Sequence, residues 1–245
     1  MKHEQHNVLV GAVGLVAIML LAAGTPQARK DDSVEKKVKD ATSQSQKAAK
    51  AFDAIMQDPD KAIPQDLIAR AKAIAVFPQV LKVAFVGGGE GGRGVVSRHT
   101  VGTWGQPVFI RGGGASVGAQ IGASMTDFFL LLMTDESVEG LMKNKFELGA
   151  EVGAVAGPVG PNKGAATDAQ MHAQILSYAH SRGLFAGVNV KGVVLRPEDD
   201  LNQAVYGKTA HDLLGGTSGD SNNSAGLTAF PQTLGRYTAS SGEDR

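Results

Sequence analysis

The stretch GGGASVGAQIGASMTDFFLLLMT, Gly112–Thr134, decides the fold class. Ala115, Val117, Ala119, Ile121, Ala123 and Met125 are apolar, and the residues between them are glycine or small and polar. Alternation of this length predicts a strand with one apolar face and one face of nearly bare backbone. The apolar run Phe128–Met133 that follows reads as a second strand, buried on both faces. This pair is taken as the centre of the domain.

The pattern returns twice. Phe146–Ala156 alternates apolar residues with Glu147, Gly149, Glu151 and Gly153, and Leu184–Val194 alternates in the same way. Both read as strands. Glycine weakens a strand, so a face that repeats it has a reason to be bare. Close packing on a tightly curved sheet is the ordinary reason and the favoured one. A groove for a ligand is the sharper alternative.

Composition limits the function. Lys+Arg and Asp+Glu both number 24, which excludes the basic excess of a general nucleic-acid binder. Cysteine is absent, so disulfides, thiol catalysis, thiolate metal sites and a lipidated cysteine anchor are all excluded. Glycine, at 32 of 245 residues, is about twice the usual ~7%. Residues 60–210 contain no Pro/Ser-rich linker and read as one unit.

Along the chain, Met1–Gly24 has the pattern of an export signal. Lys2 precedes the uncharged, largely apolar run Val8–Ala23, and Ala22-Ala23-Gly24 offers a small-residue cleavage site. An uncleaved anchor is the alternative, although the run is short for a span. Ser33–Gln57 reads as a helix, with Val34, Val38, Ala41, Ala48, Phe52 and Ile55 at helical spacing. Packing by its second half is the favoured role, and lying on a membrane surface the alternative. Asp58-Pro59-Asp60 ends it, and Pro64 opens a second helix, Pro64–Ala73. Ile74–Phe77 is a short strand stopped by Pro78, and Val80–Val86 is another. Gly87–Gly94 is a turn, and strands follow over Val95–Thr100 and Thr103–Ile110. Glu136–Lys143 is a helix, Gly157–Ala166 a loop and Ala173–His180 a strand. Pro197–Tyr206 is a helix and Thr209–Leu214 a last turn. The organisation expected is a signal over 1–24, a domain over 33–214 and a disordered tail over 215–245. The fold class is α+β. N-terminal helices pack on a glycine-rich, strongly curved, barrel-like and mostly antiparallel sheet, and a C-terminal helix follows.

Two motifs hint at catalysis. Gly114-Ala115-Ser116-Val117-Gly118 fits the G-x-S-x-G nucleophile elbow, with His172, His180, Asp127 and Asp135 as possible partners. An elbow needs a helix after the serine, and the alternation here continues as strand. Gly87-Gly88-Gly89-Glu90-Gly91-Gly92 fits G-x-G-x-x-G, but a strand follows where a dinucleotide site needs a helix. The six histidines show no metal-ligand spacing. The expectation is a non-enzyme with no cofactor and no metal. Lys82, Arg93, Arg98, Arg111 and Lys191 fall at strand ends and hairpins. Each alone reads as a solvated rim charge, and as a group they are the candidates for lipid-phosphate contacts. Trp104 and Phe109 read as core.

The motifs, taken in order, resemble a known family. They are Ile63-Pro64 with its Ala-rich helix, AIAVFPQVLKVAF, Gly94-Val95, Arg98, and Gly102, Trp104, Pro107 and Phe109. After these come Gly118-x-Gln120-x-Gly122, Gly157-Pro158-Val159-Gly160, Ser177-Tyr178, GLFAGVNVKG, Asn202 and Tyr206-Gly207. Over roughly residues 35–215 the chain resembles the SYLF domain, as an exported, bacterial member. The resemblance implies a non-enzymatic module that binds membrane lipid, phosphoinositides in eukaryotic members and actin in some of them. The function expected is therefore binding of anionic lipid headgroups, or of a membrane surface, in the periplasm or cell envelope. A structural or protein-interaction module, with actin binding as the family's version, is the alternative, and a serine hydrolase comes third.

Overall fold

The computed structural model describes residues 26–57, 62–84, 89–115, 122–149, 152–160, 172–181, 183–219 and 226–239, without the side chains of 26–32, 81–84, 89–90, 115 and 122–124. Helix α1, Pro26–Met56, is followed by the short α2, Gln65–Arg70. Strands β1 (Ala73–Ala84), β2 (Gly89–Thr100), β3 (Thr103–Trp104), β4 (Val108–Ala115) and β5 (Gly122–Leu132) follow. Helix α3, Asp135–Met142, leads to β6 (Phe146–Glu147), β7 (Ala154–Ala156), β8 (Ile175–Ser181), β9 (Leu184–Gly187) and β10 (Val194–Pro197). Three helices finish the described chain: α4 (Asp199–Tyr206), α5 (Ala210–Leu214) and α6 (Ala229–Ala239). The architecture is α+β, with helices at both ends of the chain packed on a curled, mixed sheet.

The strands form one sheet in the order β6-β10-β4-β2-β1-β5-β8-β7, with β3 on β2 and β9 on β8. All pairs between named strands are antiparallel except β7 with β8. Two chain crossings explain the curl. The chain passes from β6 at one edge to β7 at the other between Glu147 and Ala154. It returns from β9 on β8 to β10 between Gly187 and Val194. Seven residues span at most about 25 Å, so the two edges lie close together and the sheet is a half-barrel. Gly149 (φ +84°) and Gly192 (φ +72°) supply left-handed turns in these crossings, which glycine adopts without steric cost.

These crossings correct two expectations. Phe146–Ala156 is not one strand but two, at opposite edges, and Leu184–Val194 likewise divides, into β9 on β8 and β10 between β6 and β4. The central alternation is likewise two strands. β4 ends at Ala115 and β5 begins at Gly122, with β2 and β1 lying between them in the sheet. The run Phe128–Leu132 is the second half of β5 rather than a separate strand. Period two is blind to a reversal when small residues on both sides keep the parity. Gly118 and Ser116 lie outside the described residues.

Pro78 does not stop a strand. β1 runs through it by way of a register shift between Phe77 and Val80. Gln79 takes φ +55° there, and its N–H donates to Asp127 Oδ1 at 2.8 Å. A bulge is where a strand tolerates proline, because no ladder donor is required of it. Gly89–Gly94, expected as turn, is already β2.

The core lies between the sheet and the helices. Phe52 on α1 meets the rings of Phe129, Phe230 and Tyr237 at 6.3, 6.5 and 5.9 Å. Phe230, on α6, is fully buried. Residues 229–239 are therefore helix packed on the core, not a disordered tail. Buried Asn202 on α4 accepts from Phe109 N–H (2.9 Å) and donates to Phe109 C=O (3.0 Å), extending the ladder of β4 beyond the end of β10. Tyr206 O–H donates to Pro107 C=O at 2.9 Å. Trp104 and Phe109 are both core, as expected.

Candidate functional site

The glycine-rich inner face is filled by the protein itself. A Cβ on Gly94 would lie 2.5 Å from the Phe77 ring, one on Gly92 would lie 2.6 Å from Val80, and one on Gly112 would lie 3.1 Å from Phe77. The side chains of β1 lean across the bare backbone of β2 and β4. The remaining cavity, among Phe77, Val80, Phe128, Leu130, Val193 and Leu195, is about 40 Å³.

Polar chemistry concentrates on the opposite face, where α1 and α4 meet the sheet. The backbone alternates, so Gly92 and Gly112 point inward while their neighbours Arg93 and Arg111 point out. A cleft of about 550 Å³ is lined by Lys37, Asp40, Arg93, Arg111, Glu198 and Asp200. Glu198, just before α4, is 6% exposed. It accepts both Nε (3.0 and 3.1 Å) and Nη2 (2.8 Å) of Arg93. Arg93 Nη1 reaches Asp40 on α1 at 2.6 Å. The Glu198 hydrogen bonds hold the Arg93 guanidinium above its ordinary pKa, against the opposing effect of burial. Arg111, with a side chain 61% exposed, lies 3.6 Å from Glu198 through Nε. Lys37 Nζ donates to Asp200 C=O at 3.3 Å.

Of the five basic residues singled out from the sequence, only Arg93 and Arg111 come together, as a register pair of β2 and β4. Arg98, at the far end of β2, donates to Leu214 C=O at the end of α5 and to Asp135 Oδ1 (3.3 Å). Lys72 shares Asp135 at 3.6 Å. Arg98 thus caps a helix C-terminus, a fold role. Lys191 is exposed between β9 and β10, its stem beside Gly149. Lys82 is opposite Glu90 and Ser124 on β1, and its side chain lies outside the described residues. Two residues were missed: Glu198, the buried carboxylate, and Arg196, opposite Arg111 on β10. The signal was the parity of Val194, Arg196 and Glu198, which places all three on one face.

Of the residues considered for hydrolase chemistry, Asp127 and His180 do meet, at 3.4 Å. Asp127 also accepts the strained Gln79 N–H, so the pair sits at the β1 bulge. Among the described residues no group of three or more His, Cys, Asp or Glu is placed to hold a metal ion. No helix among them is long and apolar enough to cross a membrane.

Residues 113–237, just over half the chain, match the family described as Ysc84: Las17-binding protein actin regulator. LAS seventeen-binding protein 3 of Saccharomyces cerevisiae is 35% identical over 185 residues, covering 71% of this chain and 40% of that protein. The human SH3 domain-containing YSC84-like protein 1 is 35% identical over 162 residues, covering 64% of this chain and 47% of that protein. The Schizosaccharomyces pombe SH3 domain-containing protein PJ696.02 is 37% identical over 160 residues. The chain thus spans less than half the length of these relatives. The matched span and the 35% identity over 71% of the chain show that it belongs to the Ysc84/SYLF family.

Proposed function

We propose that this chain is a non-enzymatic binding module whose protein partner is actin. The observation that carries this reading is the family itself, which is described as an actin regulator. The disposition of the basic residues favours it too. Arg93 and Arg98 are engaged by carboxylates and a helix end within the fold, which leaves fewer cations for a membrane surface. Co-sedimentation of the full chain with actin filaments tests it, with phosphatidylglycerol liposomes in parallel at low and high salt. Pelleting with filaments is the expected result. A chain that stays in the supernatant with filaments and pellets with liposomes would refute it.

Binding to anionic lipid headgroups is the second reading, favoured by the exposure of Arg111 and Lys191. It predicts liposome binding that fades with salt, because the Debye length falls from ~10 Å at 0.1 M to ~3 Å at 1 M. This second reading carries with it the proposal that Met1–Gly24 directs export to the periplasm or cell envelope, where lipid and not actin is at hand. An N-terminus sequenced at or just after Gly24 in the mature protein would support this, and an intact Met1 on cytosolic protein would refute it.

A further inference from the structure

Arg93, Arg111 and Arg196 stand in direct cross-strand register on the adjacent strands β2, β4 and β10. Residues so opposed share a face at roughly 5 Å spacing, and like charges so opposed repel. A sheet gains no stability from such a row unless anions sit on it. One end is supplied from within. Glu198 and Asp40 occupy all the donor nitrogens of Arg93. The other end is not. Among the described residues the only carboxylate within 4 Å of Arg111 is Glu198, at 3.6 Å and already forked to Arg93. Arg196 is exposed and has no carboxylate partner among them.

We infer that the Arg111–Arg196 end of this row binds an acidic segment, rich in Glu and Asp, of a protein partner. The inference rests on the protein-partner reading above and names its site. Glu198 demonstrates the recognition inside the molecule: a glutamate side chain lies in the fork of the first arginine. Guanidinium groups match carboxylates in this paired-donor geometry. A phosphate can bridge two guanidiniums as well, so the carboxylate is preferred on the internal example of Glu198 and on the protein-partner reading, and the vesicle arm below separates the two.

The test uses the full chain and fluorescein-labelled hexaglutamate, with hexaglutamine and phosphatidylglycerol vesicles as controls, read by anisotropy and flotation. Hexaglutamate should bind, weaken as salt rises, and bind at least about tenfold less to Arg111→Gln/Arg196→Gln, which loses two charge-assisted forks. Lys191→Gln should bind as the unsubstituted chain does. Both arginines are exposed, and the double variant should melt close to the unsubstituted chain, because the cross-strand repulsion removed offsets the lost 3.6 Å contact of Arg111 with Glu198. Arg196→Gln alone should show a smaller loss in the same direction. Failure of hexaglutamate to bind, or equal binding by the double variant, would overturn the inference. So would vesicle binding that is lost in the double variant when the peptide never bound, since that assigns the row to phosphate. Filament co-sedimentation separates the two proposals. Filament binding unchanged in the double variant overturns the arginine row and leaves the actin reading. Hexaglutamate binding without filament binding does the reverse.

Discussion

At the scale of single residues, a missing side chain and a buried charge have the largest consequences. Gly94 is bare because Phe77, 4% exposed, occupies the place of its Cβ. Gly94→Ala should destabilise by about 1–3 kcal/mol, the usual cost of overpacking. Combined with Phe77→Leu it should cost less than the sum of the two, because the smaller side chain vacates the contested space. Urea melts of the three variants measure this, and strict additivity would mean that the two residues do not compete. Glu198 carries the opposite liability. Glu198→Gln leaves Arg93 and Arg111 facing each other across β2 and β4 without their shared carboxylate. The loss should be on the order of 2 kcal/mol, the value of hydrogen bonds to charged groups, reduced by the 44% exposure of Arg93. A melting temperature unchanged by Glu198→Gln would show that α1 and α4 need no such tie. The close packing behind the first effect was legible in the sequence as repeated glycine on one face. Glu198 was not, because a carboxylate beside Asp199 and Asp200 reads as one more charge at a helix start until the register places it under two arginines.

At the scale of elements, type was legible and extent was not. The helical spacing from Val34 to Ile55 predicts α1, and Pro64 opens α2, because stripe and cap are local properties. The strand boundaries failed wherever the chain changed edge, as between β6 and β7, since alternation continues through a glycine turn without losing parity. The last helix, α6, escaped the sequence reading for another reason. Its flanks, Gly215–Ser224 and Ser240–Arg245, are rich in small and polar residues and dominate the composition. Yet Leu227, Phe230 and Leu234 recur at helical spacing and are all buried. The packing of α6 on α1 predicts a clear result. Phe230→Ala should cost about 3–5 kcal/mol, as for other fully buried aromatics. Loosening α6 should also uncover Trp104, which is 7% exposed and whose indole N–H donates to Thr238 Oγ1 at 3.3 Å. Trp104 is the chain's single tryptophan, so its emission reports this directly. A red shift at denaturant concentrations below global unfolding is expected. Emission unchanged until the whole chain melts would mean that α6 and the sheet unfold as one unit.

At the scale of the whole molecule, the family was legible from the order of its motifs, whereas the partner was not, because a neutral chain has no overall field to declare one. What identifies a site here is local: two arginines of β4 and β10 left facing solvent on one face of the sheet. The same separation of overall from local governs the response to pH. The chain has three tyrosines, Tyr178, Tyr206 and Tyr237. Burial pushes the Tyr178 hydroxyl well above the ordinary value, aided by the charge of Asp66, and burial does the same for Tyr206. Tyr237 is pushed up to about 12, first by burial and then by its hydrogen bond to Asp53. A folded-state value above the unfolded one means that the fold favours the neutral phenol. Its contribution is therefore complete below the unfolded value of ~10 and is lost as pH rises through the folded value. Above pH ~10 each of the two buried tyrosines should remove up to about 1.4 kcal/mol of stability per pH unit. The more exposed Tyr237 should remove less. Following tyrosinate absorbance and far-ultraviolet circular dichroism together through an alkaline titration tests this. No tyrosine should ionise near pH ~10 while the fold is intact, and Tyr178 and Tyr206 should ionise only as the dichroism collapses. Ionisation of either near its ordinary value with the dichroism unchanged would place that hydroxyl in contact with solvent and contradict the packing of β8 or α4 described above.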